Sequence, residues 1–154
     1  MGRVLPDVKF TTHMGEQVRL ALVAERPLVI YTYPGVPDPP GVAAAAAAQH
    51  AAFNRRAEDL AAHALRVVGL SSEPHHSQLL RVVSHRIYHE LWSDPCLVLA
   101  GALGLPSYIH DGVCCYERLI LLTRGGSVER VFFPGDSPQR SAAQVVSWLK
   151  VAGR

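Results

Sequence analysis

Two short apolar runs dominate the hydropathy pattern. Residues 28–33, LVIYTY, and residues 65–71, LRVVGLS, are rich in β-branched and aromatic side chains, and both read as buried central strands. Between them Ala46, His50, Phe53, Ala57, Leu60 and Ala64 recur at spacings of three and four and share one helical face. Asn54, Arg55, Glu58 and Asp59 lie off that face and are expected in solvent. Alanine, the strongest helix former, fills the start of this segment, so a helix is predicted over 43–64. Strand, long helix and strand make a βαβ unit, which forces a parallel, right-handed crossover.

The flanking pattern is more local. Val8 and Phe10, then Val18, Leu20 and Leu22, alternate with polar residues about a turn at 13–16, predicting an N-terminal β-hairpin within 1–22. The loop 34–41 carries Pro34, Pro37, Pro39 and Pro40, so it is neither strand nor helix interior. Ser72 and Pro74 signal a second helix over 74–87. An extended piece at 90–93 precedes a short helix over 95–103, stopped by Gly104. Residues 118–123 and 127–133 pair about Gly125-Gly126. A last helix is expected to be capped by Ser137 or Ser141 and to turn Ala143, Val146 and Leu149 inward.

Composition narrows the class. A chain of 154 residues is expected to form one domain over 1–154, burying about 70% of its unfolded surface without a staple. Net charge is +2 and no basic block stands out, so nucleic acid is not an expected partner. The N-terminus lacks a secretory apolar core, and no apolar run approaches the roughly 18 residues of a membrane span, so a cytoplasmic protein is expected and a membrane partner is not. Lys9 and Lys150 are the only lysines, a composition of the high-GC bacterial kind. The three cysteines, Cys96, Cys114 and Cys115, do not suggest a disulfide framework.

The motifs go further than the class. LPDV at 5–8, VIYTYP at 29–34, VVGLSS at 67–72, WSDP at 92–95, ALGLPSY at 102–108, YERLILLTRGGSVERVFFP at 116–134 and SAAQVVSWLK at 141–150 together resemble the peroxiredoxins of the alkyl hydroperoxide reductase and thiol-specific antioxidant kind. The resemblance implies an α/β, thioredoxin-like fold: a central mixed sheet flanked by helices, with an N-terminal β-hairpin. It also implies a peroxidatic cysteine at the start of the first long helix and a resolving cysteine five residues on. Anchored on Ala52-Phe53, those positions fall at Ala46 and Ala51; another gap placement gives Val42 or Gly41. No cysteine lies between residues 1 and 95. The family's activating arginine matches Arg118.

Alanine has no lone pair and cannot be oxidised to a sulfenic acid, so thiol peroxidase chemistry by the family route is not expected. What surrounds Ala46 could serve other chemistry. The resemblance implies that Arg118 and the helix N-terminus would stabilise a carboxylate, enolate or other oxyanion; the alternative is a strand-end arginine in a surface ion pair. His50, one turn after Ala46, could move a proton, or could be a core histidine bonded to a carbonyl. Tyr31 and Tyr33 point to the same side of their strand; Tyr33 is a candidate for catalysis and Tyr31, with Pro34, Ala46 and Gln49, for ligand contact, the alternative for the tyrosines being plain packing with a hydroxyl at the edge. The expected function is a cofactor-free, non-redox acid/base step such as cyclisation, elimination or isomerisation of a small organic molecule, possible in bacterial specialised metabolism, by a homodimer. The alternatives are a non-catalytic ligand-binding or dimeric module, and an atypical peroxidase using Cys114 or Cys115. Cys96 is expected to be buried and inert. His75, His76, His85 and His89 are expected on a solvated helix rather than on a metal, because the resemblance ends the helix near Ile87, which breaks the face that His85 and His89 would share.

Overall fold

The computed structural model describes residues 2–35, 45–134 and 137–153. Strands β1 (Lys9–Thr12) and β2 (Gln17–Arg19) form the N-terminal hairpin, followed by one helical turn, α1 (Leu20–Val23). The βαβ core is β3 (Leu28–Thr32), α2 (Ala45–Arg55), α3 (Ala57–Ala62) and β4 (Arg66–Ser71). Then come α4 (His75–His85), β5 (Glu90–Ser93), α5 (Val98–Leu103), the hairpin β6 (Ser107–His110) and β7 (Val113–Tyr116), the hairpin β8 (Leu119–Arg124) and β9 (Ser127–Phe132), and α6 (Ser141–Ala152).

One mixed seven-stranded sheet runs β2-β1-β5-β4-β3-β8-β9. Strand β3 is buried throughout because it pairs with β4 in parallel and with β8 antiparallel. Its alternation feeds two cores. Leu28 and Ile30 join Phe10, Trp92 and Leu99 on one face; Val29, Tyr31 and Tyr33 join Phe53, Leu60 and Leu149 beneath α2 and α6 on the other. Helix α5 is held by Asp94, whose carboxylate accepts from the backbone N–H of Val98 and of Leu99 and from the Tyr116 hydroxyl.

The expected α/β thioredoxin-like architecture is present, with several local differences. Leu20 and Leu22 do not extend the hairpin strand: the chain turns into α1, which buries Leu20 and Ala24 one turn apart and leaves Leu22 exposed. The helix predicted over 43–64 breaks at Arg56 and ends before Ala64, which takes a positive φ; Ala57 and Ala64 are exposed, and the inward face consists of Ala46, Gln49, His50, Ala52, Phe53 and Leu60. The helix start at Ala43 and most of the proline loop, with Gly41 and Val42, lie outside the described residues. Neither Ser137 nor Ser141 caps α6; the Ser141 hydroxyl donates to the Pro138 carbonyl. Ala142 and Val145 turn inward with Val146 and Leu149, while Ala143 is half-buried. The β6–β7 hairpin was not expected, although Asp111-Gly112, both at positive φ, is a two-residue hairpin turn of the same kind as Gly125-Gly126.

Gly69 is the close approach in this sheet. It sits opposite Tyr31 in the parallel register, and a Cβ there would lie 2.6 Å from Leu91 Cδ2 and 2.8 Å from Tyr31 Cζ. The Tyr31 ring therefore crosses the space that any other residue's side chain would fill. Gly69→Ala should cost about 1–3 kcal/mol through overpacking. Urea unfolding would measure it, and an unchanged midpoint would show that the Tyr31 ring moves freely.

Candidate functional site

The site lies where the C-terminal end of β3 meets α2. Phe53 stacks on the Tyr31 ring, with centroids 4.4 Å apart and planes 7° apart. This sandwich removes the phenol from water, so its hydroxyl needs a partner inside the protein. It has two. Tyr31 Oη lies 2.6 Å from His50 Nδ1, and it also hydrogen-bonds His89 Nε2. His50 is fully buried on α2, and its Nε2 is buried with no hydrogen-bond partner among the described residues. His89, in the loop between α4 and β5, is half-buried and forms part of the wall of a surface cleft with Phe53, Val67, Tyr88 and Glu90.

A second polar group sits beside the first. The buried Tyr33 hydroxyl donates to Glu73 Oε1 at 2.6 Å. Arg81 holds both oxygens of the same carboxylate, at 3.0 and 3.1 Å, and its guanidinium lies 5.1 Å from the Tyr33 ring centroid. Gln78, fully buried on α4, donates to Ser71 Oγ and the Trp92 carbonyl. Gly35, at positive φ, fits against Ser71 and Glu73, where a Cβ would stand 3.2 Å from Glu73 Cβ. The Tyr33 phenol is thus engaged by a carboxylate, and the edge ring of Tyr33 packs 4.7 Å from the His50 ring.

Thr32 fixes the remaining side. Its hydroxyl donates to the Glu117 carbonyl at 2.6 Å and accepts from the Leu119 N–H at 3.0 Å, so it clamps the backbone on either side of Arg118. Arg118 is half-buried, close enough for its charge to act on His50. Gln49 donates to the Thr32 carbonyl at 3.3 Å, and its Oε1 is buried without a hydrogen-bond partner among the described residues. Ala46 is buried in the same cluster, one turn before His50, and Pro34 is buried just beyond Tyr33.

Electrostatics keep the histidines neutral. Burial, then the charges of Arg81, His89, His85 and Arg118, push His50 down to about 2. Burial and then His13 lower His89 to about 4. Burial, followed by the neighbouring Tyr33, raises Tyr31 well above the ordinary phenol value, and burial with Glu73 raises Tyr33. The three-membered chain His50–Tyr31–His89 is therefore uncharged at neutral pH.

Two expectations are corrected, those for Cys96 and His89. Cys96 is exposed rather than buried. Cys114 and Cys115 turn to opposite sides of β7, the first exposed and the second buried, and both are free thiols; burial raises the Cys115 thiol further from ionisation. His89 is no member of a solvated histidine helix: α4 ends at His85, the left-handed Arg86 turns the chain, and His89 reaches Tyr31. Among the described residues no three His, Cys, Asp or Glu side chains converge as a metal site, and no helix is long and apolar enough to cross a membrane. Sequence reasoning missed Glu73, Gln78, Arg81 and the role of His89. No local signal marks them, because α4 buries polar Gln78 and turns apolar Leu80 and Val83 to solvent, against its hydrophobic pattern.

Comparison with known proteins rests on structure alone, since no family model and no curated protein matches the sequence. The peroxidoxin BcpB of Mycobacterium tuberculosis superposes with a TM-score of 0.82 at 20% identity, covering 97% of this chain and 96% of that one. The bacterioferritin comigratory protein of Xanthomonas campestris, whose structure is described in terms of alkyl peroxide reduction, gives 0.80 at 22% identity over 99% and 98%. Reduced Prx3 of Vibrio vulnificus, in complex with hydrogen peroxide, gives 0.80 at 18% identity over 99% and 97%. The fold is that of the peroxiredoxins. On this peroxiredoxin scaffold α2 carries no cysteine, and the buried polar chain His50–Tyr31–His89 stands beside Ala46.

The lowered histidines make the protein acid-sensitive. Each takes up its proton in the unfolded state near 6.5 but in the folded state only near 2 or 4, so stability is full above about pH 6.5 and falls as pH drops. Between pH 6.5 and 4 each histidine contributes a slope of up to about 1.4 kcal/mol per pH unit, and below 4 only His50 continues. Urea unfolding from pH 7 to 4 should show this slope, and the double variant His50→Gln, His89→Gln should flatten it.

Proposed function

We propose that this chain uses the peroxiredoxin fold for a cofactor-free, non-redox acid/base step on a small organic molecule: a cyclisation, elimination or isomerisation of the kind found in bacterial specialised-metabolite biosynthesis. The observation that carries the reading is His50. It is a fully buried neutral imidazole with one nitrogen hydrogen-bonded to Tyr31 and the other, Nε2, without a hydrogen-bond partner among the described residues, one turn from Ala46. A buried polar atom without a partner costs about 1–3 kcal/mol, and such a cost is retained where the atom acts. Arg118 supplies the positive charge for a developing oxyanion. Among the buried side chains Tyr33 supports the site through Glu73 and Arg81, while Gln49, Pro34 and Ala46 shape it.

The thiols support this reading by their placement. A peroxidatic thiol needs a depressed pKa, whereas Cys115 is raised by burial and Cys114 lies on an exposed hairpin. Replacing Cys96, Cys114 and Cys115 by serine should leave the activity intact.

The test uses nitrobenzisoxazole, in which a base removes the ring C–H proton as the N–O bond breaks, releasing a nitrile and a coloured phenolate. The protein should accelerate this reaction, with His50→Ala lowering kcat/KM by roughly 100-fold and Arg118→Ala also lowering it. Because His50 stays neutral above a pH of about 2, the rate should not fall between pH 7 and 5, as it would for an ordinary histidine. Turnover that survives His50→Ala, or that vanishes with the triple-serine variant, would overturn the reading.

A second reading, a non-catalytic dimeric interaction module, is favoured by α4, which turns Leu80 and Val83 to solvent at 67% and 70% exposure. If α4 is an interface between two copies, Leu80→Glu with Val83→Glu should shift the sedimentation coefficient from dimer to monomer without unfolding the chain.

A further inference from the structure

We infer that His50, Tyr31 and His89 form a proton relay connecting the interior of the site to the surface cleft beside Tyr88. This deepens the acid/base reading above and rests on it for its catalytic use. The geometry is continuous: His50 Nε2 is the inner end, Nδ1 contacts Tyr31 Oη at 2.6 Å, Oη contacts His89 Nε2, and the His89 ring forms part of the wall of the cleft.

The relay answers a difficulty in the site. His50 lies beside Arg81 and Arg118 in a dry environment, so it cannot hold a second proton as a cation. It can accept a proton at Nε2 only while giving up the one at Nδ1. Two neutral arrangements satisfy the hydrogen bonds. In the first, His50 Nδ1–H donates to Tyr31 Oη, Tyr31 O–H donates to His89 Nε2, and His89 carries its proton on Nδ1. In the second, His89 Nε2–H donates to Tyr31 Oη, Tyr31 O–H donates to His50 Nδ1, and His50 carries its proton on Nε2. Passage from the first to the second moves one proton outward. Substrate C–H or O–H gives its proton to His50 Nε2, Nδ1–H passes to Tyr31, Tyr31 O–H passes to His89 Nε2, and His89 Nδ1–H passes to water in the cleft. No residue gains net charge, and the substrate is left as the anion that Arg118 faces.

His50 is thus the residue that meets substrate; Tyr31 and His89 are positioning residues that act through it. The packing fits this division. Gly69 and Phe53 hold the Tyr31 ring from either side, and Phe53 also lines the cleft at His89. The groups facing His89 are His13, whose Nδ1 accepts from the Leu91 N–H, and Glu90, which is occupied by Arg66 and the Trp92 indole.

The relay can be read without any substrate. In uniformly nitrogen-15-labelled protein, the ring N–H of His50 should exchange with solvent through Tyr31 and His89. In Tyr31→Phe and separately in His89→Phe, with the amide spectrum preserved, that exchange should slow by about tenfold or more, as each 1.4 kcal/mol added to a barrier does. A purely structural role predicts the opposite, because loss of the hydrogen bonds loosens the core and speeds exchange by local opening. Unchanged or faster exchange in both variants overturns the relay. Slowed exchange together with absent nitrobenzisoxazole turnover would leave the relay standing and remove the enzymatic reading; turnover with unslowed exchange would do the reverse.

Discussion

A buried phenol sets the terms for this site. Tyr31 lies in the middle of the central strand, stacked under Phe53 and laid across Gly69 of the neighbouring strand. In that position its hydroxyl has no direct contact with solvent, and leaving it unpaired would cost about 1–3 kcal/mol. The fold meets the requirement from two directions, with His50 from the helix after the strand and His89 from the loop after α4. Each histidine is then itself drawn out of water and kept neutral. The His50 Nε2 left without a partner among the described residues and the depressed histidine pKa values follow from where that one ring is placed.

The adjoining Tyr33–Glu73–Arg81 group works differently. It is a charged pair with little solvent contact, its carboxylate bidentate on the guanidinium and capped by a phenol. Such a pair adds little net stability, but removing either member strands the other charge. Its consequence for the site is electrostatic: the Arg81 charge reinforces the neutrality of His50. Thr32, by clamping the backbone around Arg118, brings a second positive charge to the same imidazole. A cation-lined, dry setting of this kind favours proton movement by tautomer exchange over storage of charge on histidine.

Parts of this were legible along the chain. The same-side placement of Tyr31 and Tyr33 follows from strand alternation, and the inward position of His50 follows from its spacing to Ala46 and Phe53. The helix break at Arg56 was not legible, since Ala57 and Ala64 continue the apolar spacing yet end up exposed. Helix α4 misleads in the opposite sense: it exposes Leu80 and Val83 and buries Gln78, whose amide donates to Ser71 Oγ and the Trp92 carbonyl at the ends of β4 and β5.

The sequence by itself determined the βαβ unit, the N-terminal hairpin, the turn at Gly125-Gly126 and the absence of cysteine from α2. Periodicity, turn chemistry and residue identity are local properties, readable one window at a time. Only the tertiary structure decided that Glu73 and Arg81 close on Tyr33, that His89 leaves the helix pattern to meet Tyr31, and that Cys114 and Cys115 part to opposite faces. The contacts of Tyr31 span 19 residues to His50 and 58 to His89. Partners that far apart are chosen by which buried polar atom has nowhere else to bond, and that is a property of the packed interior rather than of any stretch of chain.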